Sequence, residues 1–122
     1  MTRVVFDSSF LMAVAEHPTR WREDIVAVVG GFEPVALECV LAELGGLSAR
    51  GGKKGQVARV ALELAEGFSR VPSGTGRTDD EISSAALSLP AAVATVDGDL
   101  ARALRVLKVQ VFGLRAGRVA VV

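Results

Sequence analysis

The feature that most constrains this chain is a repeated switch of hydrophobic period. Short apolar runs without polar alternation are each followed by a segment of helical spacing. Arg3-Val4-Val5-Phe6 runs into Asp7, Ala91 to Val96 runs into Asp97, and Val109 to Leu114 comes later. Strands apolar on both sides suit a sheet covered on both faces, which is the condition of parallel sheets. Between them, Leu37, Val40, Leu41 and Leu44 share one helical face, as do Leu100, Ala103, Leu104 and Leu107. The pattern predicts an α/β fold of three layers, with a central parallel sheet and helices on both sides. Ligand sites in such sheets form at the carboxyl ends of strands.

Punctuation residues set the expected boundaries. Ser8 or Ser9 caps an apolar helix from Phe10 to Ala15, broken at His17-Pro18. A second helix is expected over Trp21 to Val29, ended by Gly30-Gly31. Glu33 to Ala36 is a strand candidate weakened by Pro34. Helices are expected over Leu37 to Leu47 and Gln56 to Phe68, the latter with Val57, Val60, Ala61 and Leu64 on one face. Ser69 to Pro72 reads as a brief strand and residues 73–77 as a loop. Thr78 is expected to cap the next helix, with Glu81 completing a capping box, and Pro90 follows that helix's end at Leu89. Asp97 to Leu107 reads as helix. Arg118 to Val122 reads as an edge strand or a surface segment.

A length of 122 residues fits one domain spanning 1–122, and half of the residues are hydrophobic, enough for a core. No apolar run approaches the roughly 18 residues of a membrane span. Asp7 interrupts the first apolar stretch, which argues against a signal peptide. Cys39 is the single cysteine, so an intrachain disulfide and a cysteine zinc cluster are excluded. These features predict a soluble, cytoplasmic protein.

Net charge is zero, but the charges are segregated. Residues 1–48 sum to −4, 49–77 to +4, 78–99 to −5 and 100–122 to +5. Basic flanks around acidic blocks suit a polyanionic substrate held over a metal-loaded centre. Asp7 and Asp97 each follow an apolar run. Asp79 opens a helix after a flexible loop, and Glu43 lies within the helix after the second strand. In a parallel sheet all four would face the same edge. Two carboxylates about 5 Å apart repel by about 3 kcal/mol at an effective dielectric of about 20. Such a group must take up protons or a cation. Oxygen ligands alone favour Mg²⁺ or Mn²⁺ over zinc.

Four ordered motifs carry a resemblance. Val4-Val5-Phe6-Asp7-Ser8-Ser9-Phe10-Leu11 resembles the opening of PIN domains. Cys39-Val40-Leu41-Ala42-Glu43-Leu44 is similar to their second motif and Thr78-Asp79-Asp80-Glu81-Ile82 to their third. Ala94-Thr95-Val96-Asp97-Gly98-Asp99-Leu100 resembles the fourth. The resemblance implies a PIN-like fold and a Mg²⁺- or Mn²⁺-dependent endoribonuclease that cleaves single-stranded RNA with metal-activated water. It implies Asp7, Glu43, Asp79 and Asp97 as catalytic metal ligands, with Ser9, Asp80, Thr95 and Asp99 supporting them. It also implies a homodimer, and an antitoxin or ribosome-assembly partner. Gly51-Gly52-Lys53-Lys54-Gly55 resembles the archaeal branch related to rRNA-processing PIN proteins more than toxin members.

Other readings compete. Asp7 and Asp97 are also suited to helix capping, and Glu38 rivals Glu43 but lies outside the motif register. Arg50, Lys53, Lys54 and Arg59 are candidate phosphate contacts, against the alternative of a solvated basic loop. Residues 46–53 do not make a phosphate loop, since Gly52 stands where Lys is required. His17 reads as a turn residue, Cys39 as a small apolar residue and Trp21 as packing. A non-catalytic RNA-binding or assembly module would keep the fold without productive metal geometry. A phosphoacceptor receiver-like domain needs paired acids after strand one and a Lys after strand five, and the sequence lacks both.

Overall fold

A computed structural model describes residues 1–122. Its elements run β1 (Thr2–Phe6), α1 (Ser8–Glu16), α2 (Trp21–Val29), β2 (Phe32–Leu37), α3 (Glu38–Arg50) and α4 (Gly52–Leu64). They continue β3 (Ser69–Val71), α5 (Thr78–Ser88), β4 (Ala92–Ala94), α6 (Gly98–Val106), β5 (Val111–Arg115) and β6 (Arg118–Val121). The sheet order is β3-β2-β1-β4-β5-β6. Strands β1 to β5 are parallel, and β6 returns antiparallel along β5. The expected α/β sheet is therefore mostly parallel, with one antiparallel edge strand. From β1 the chain builds outward to β2 and β3, then crosses to β4 and builds the other way. Right-handed crossovers place helices from the two halves on opposite faces. The crevice between the carboxyl ends of β1 and β4 is the point where strand order reverses, the usual place for a site.

The core explains why this order holds. Val4, Val5 and Phe6 are fully buried, as the double-sided apolar run requires. Phe6 packs edge-on against Phe10 and Trp21, with ring centroids 5.5 and 5.3 Å apart, and lies 5.0 Å from Phe68. Each such pair adds about 0.5–1.5 kcal/mol beyond the area it buries. This cluster joins β1, α1, α2 and the start of β3 on one face.

Several boundaries differ from the sequence expectation. Strand β2 runs through Pro34, because β3 pairs only with Val35 to Leu37 and has not begun at that level. Strand β4 stops at Ala94, so Asp97 lies three residues past its strand. Helix α4 starts at Gly52 rather than Gln56 and ends at Leu64 rather than Phe68. Lys53 and Lys54 thus belong to a helix, not to a loop. Gly51 and Gly52 supply φ of +73° and +71° for the tight turn out of α3. A Cβ on Gly55 would stand 3.0 Å from the Leu47 carbonyl oxygen, so glycine lets α4 press against α3. Neither serine caps α1. Asp7 holds that position without a side-chain capping bond, and Ser8 and Ser9 lie inside the helix. The capping box at Thr78 is also absent, since Arg77 is the cap residue and makes no side-chain cap. Glu81 instead accepts a bond from the Gly74 N–H and ties down the preceding loop.

Asp24 on α2 clamps the antiparallel edge. Its carboxylate accepts from Arg118 Nη2 at 2.5 Å, Arg118 Nε at 3.1 Å and the Val119 N–H at 3.0 Å. The Arg118 hydrogen bond, then the Val119 N–H, hold its pKa below the ordinary carboxylate value. A lowered folded pKa gives stability that is present above the unfolded value and lost as pH falls through the folded one. Asp24→Asn is expected to lower Tm at neutral pH. The gap to wild type should close as pH falls below the ordinary carboxylate range, which melts followed by circular dichroism would show.

Candidate metal centre

The site grows from the ends of β1 and β4. Phe6 pairs with Ala94, and the Asp7 N–H continues the ladder to the Ala94 carbonyl at 2.9 Å. Asp7 and Thr95 therefore leave the sheet side by side. Both are buried, Asp7 at 4% and Thr95 at 1% exposure. A carboxylate buried this far needs donors. Asp7 Oδ2 accepts from Ser9 Oγ at 2.5 Å and from Thr95 Oγ1 at 2.8 Å. The two hydroxyls lie 3.2 Å apart. Ser9 Oγ accepts from the Val96 N–H at 3.2 Å, and Thr95 Oγ1 from the Asp97 N–H at 3.0 Å. One hydroxyl pair thus fixes Asp7 and the backbone leading to Asp97.

Asp97 serves as the cap of α6. Its Oδ1 accepts from the N–H groups of Asp99 at 2.9 Å and Leu100 at 3.1 Å. Both capping bonds fall on Oδ1, which leaves Oδ2 outside the cap. Asp79 opens α5 at the same edge. Burial raises its pKa first, and the charges of Asp97 and then Asp7 raise it further. Arg77 opposes the shift, and Asp80 adds to it. Asp79, Asp97 and Asp7 therefore share one electrostatic field. The loop before Asp79 is anchored at two points: Glu81 holds Gly74, and Ser73 Oγ accepts the Cys39 N–H at 2.8 Å near the start of α3.

Glu43 stands on the α3 side, exposed, and accepts a hydrogen bond from Ser8 Oγ. It lines a hollow of about 690 Å³ with Ser8, Ser9, Arg50 and Lys54. Lys53 lines the adjoining hollow with Ser9 and Met12. Arg59 is exposed on α4 and lines neither. Asp80 is exposed beside Asp79. The Asp99 carboxylate turns to Arg102, while its backbone N–H supports Asp97. With the side chains as they stand, no three acidic, His or Cys groups form a tight ligand set. The donor chemistry still fits a hard divalent cation: all oxygen, with burial and repulsion on Asp79 that Arg77 only partly offsets and that such a charge would relieve. Sequence reasoning missed the Ser8–Glu43 bond, having read Ser8 only as a cap. It also missed Arg102 and Arg105, which line a hollow with Asp97. Their spacing of three on α6 was the available signal.

A profile described as a PIN like domain matches residues 4–117. The chain belongs to the PIN-like domain family. No curated protein matches it. Among solved structures, the PIN domain endonuclease Utp24 is similar at 24% identity and a TM-score of 0.78, over 98% of this chain and 90% of that one. VapBC2 from Rickettsia felis, bound to a promoter DNA fragment, is similar at 13% identity and a TM-score of 0.68, over 93% and 100%. A domain of a functionally unknown protein from Methanocaldococcus jannaschii gives 16% and 0.66, over 95% and 93%. At these identities the likeness establishes the fold.

The shared field around Asp79 gives a direct test. Asp97→Asn keeps a good capping side chain but removes a charge. The Asp79 pKa is expected to move down, though not fully to its ordinary value, because burial is the larger cause. A carboxyl carbon NMR titration would show this.

Proposed function

We propose that this PIN-like chain is a Mg²⁺- or Mn²⁺-dependent endoribonuclease that cleaves single-stranded RNA, in an RNA-processing or toxin-type setting. The observation that carries the reading is the acidic field of Asp7, Asp79 and Asp97 at the switch point, with Asp7 locked by Ser9 and Thr95. Family membership and likeness to a PIN endonuclease support it. Asp7, Asp79 and Asp97 would hold the ion, with Glu43 closing the set from α3. When bound, such an ion activates water and neutralises charge on the phosphodiester.

The chain's own residues do the rest. Thr95 and Ser9 donate their protons to Asp7 Oδ2 and so fix the carboxylate's direction. The Asp97 cap fixes the second carboxylate against α6. Arg50, Lys53 and Lys54 place positive charge beside Glu43, where a phosphate chain would pass. Arg59 would add long-range attraction only.

Purified protein with single-stranded RNA and Mn²⁺ is expected to cleave, and Asp7→Asn and Asp97→Asn are expected to abolish cleavage. Thr95→Val removes only a supporting donor and should cost about 10–100-fold, as for outer partners of metal ligands. Equal cleavage by wild type and both Asn variants would sink the assignment.

A further inference from the structure

Three neighbouring hollows lie in series along α1. Those of about 690 and 470 Å³ share Ser9, Met12 and Lys54, and the one of about 470 Å³ shares Ala13 with another of about 350 Å³. Glu43 lines the first hollow, Asp97 and Thr95 line the last, and Asp7 and Asp79 line none of the three. Ser9 lines the first two hollows and Thr95 the last, and their hydroxyls lie 3.2 Å apart, both bonded to Asp7. Arg50, Lys53 and Lys54 stand at the α3–α4 end. Arg102 and Arg105 stand at the other.

We infer that the last hollow, between α6 and the end of β5, is a nucleotide subsite for the RNA strand on the Asp97 side of the cleavage position. The inference rests on the ribonuclease reading. It adds a second grip beside Asp97 to the one that Arg50 and Lys54 offer beside Glu43.

The chemistry of the hollow selects a nucleotide. Its apolar lining includes Val96, Ala101, Leu114 and Val122, and Val96 is 42% exposed. The open floor is aliphatic, so it offers a base apolar area to cover but no stacking ring. Arg102 and Arg105 rise from the same side of α6 and are both exposed. Asp99 engages one edge of the Arg102 guanidinium, which leaves further donors on that group. A volume of about 350 Å³ suits one nucleotide rather than a folded partner. Segment 100–122, which supplies both arginines, has a charge of +5 and no acidic residue. Asp24 pairs with Arg118 and Asp99 with Arg102, while Arg105 has no ion-pair partner, so a phosphate would bring its countercharge, which guanidinium groups recognise in a fixed, forked geometry.

The test uses the intact protein and a short labelled single-stranded RNA, with metal withheld so that binding is read without cleavage. Fluorescence anisotropy across a salt series gives affinity and salt slope. Arg102→Ala with Arg105→Ala is expected to weaken binding about tenfold and to lower the slope by about 0.7 for each phosphate no longer neutralised. With Mn²⁺ present, KM should rise while kcat changes little, as expected when uniform binding is removed. As the Arg20 control, Arg20→Ala with Arg70→Ala removes the same two charges outside all three hollows. Arg105→Lys should restore part of the slope if charge acts there. A double variant that binds as wild type does, or no more weakly than the Arg20 control, would overturn the subsite and leave the ribonuclease reading intact. Poly-glutamate competing as well as RNA of equal charge would also overturn it, since the apolar floor would then play no part. Wild type that neither binds nor cleaves RNA would overturn the reading and the subsite together.

Discussion

The hydrogen bonds from Ser9 and Thr95 to Asp7 Oδ2 are the interaction on which the rest of the site depends. They join three pieces of chain: the end of β1, the first turn of α1 and, from far along the sequence, the segment after β4. A hydrogen bond to a charged group is worth about 1.5–3 kcal/mol, against a larger loss if a buried carboxylate is left without donors. The same hydroxyls accept the N–H groups of Val96 and Asp97. Direction thus passes from a strand end to a carboxylate, and from that carboxylate's partners to the next one. The acids are held by a network, not by a single backbone geometry.

The core makes that network possible. Phe6 precedes Asp7 and is fully buried against Phe10, Trp21 and Phe68. Its position in the sheet leaves Asp7 one direction to face. At the β6 edge of the sheet, Asp24 and Arg118 hold β6 against α2, so that β5 is covered on its outer side. The hollow beside Asp97 is then closed by Leu114 and Val122, which that antiparallel return brings into place.

Much of this was legible in the sequence for physical reasons. Double-sided apolar runs such as Val4-Val5-Phe6 announce a covered parallel sheet, and a carboxylate directly after one must emerge at the carboxyl edge. The order of the four acidic motifs pointed to the family. Local capping was less legible. Ser8, Ser9 and Thr78 are good caps by type, yet side-chain partners or the backbone decided otherwise: Ser9 bonds Asp7, Ser8 bonds Glu43, and Glu81 reaches Gly74. Asp97 reads from sequence as either cap or ligand, and its two oxygens let it cap α6 while Oδ2 stays outside the cap. The early start of α4 was hidden because Gly52 and Gly55 argue against helix by propensity, while close packing on α3 requires Gly55. The side chains of α6 that line the Asp97 hollow depend on how the sheet edge folds back, which no local pattern carries.

Burial first, then the charges of Asp97 and Asp7, disfavour the charged form of Asp79. Neutralisation by protons and neutralisation by a divalent ion make different demands on the site. Protons would leave the acids indifferent to metal, whereas an ion would draw on Asp7, Asp79 and Asp97 together. Paramagnetic broadening of backbone amide signals during a Mn²⁺ titration measures this directly. The account predicts that the amides around Asp7, Asp79 and Asp97 broaden first and together, before those near Glu23, Glu63 or other surface acids. Uniform broadening across surface carboxylates, or none at these three positions at millimolar Mn²⁺, would contradict it.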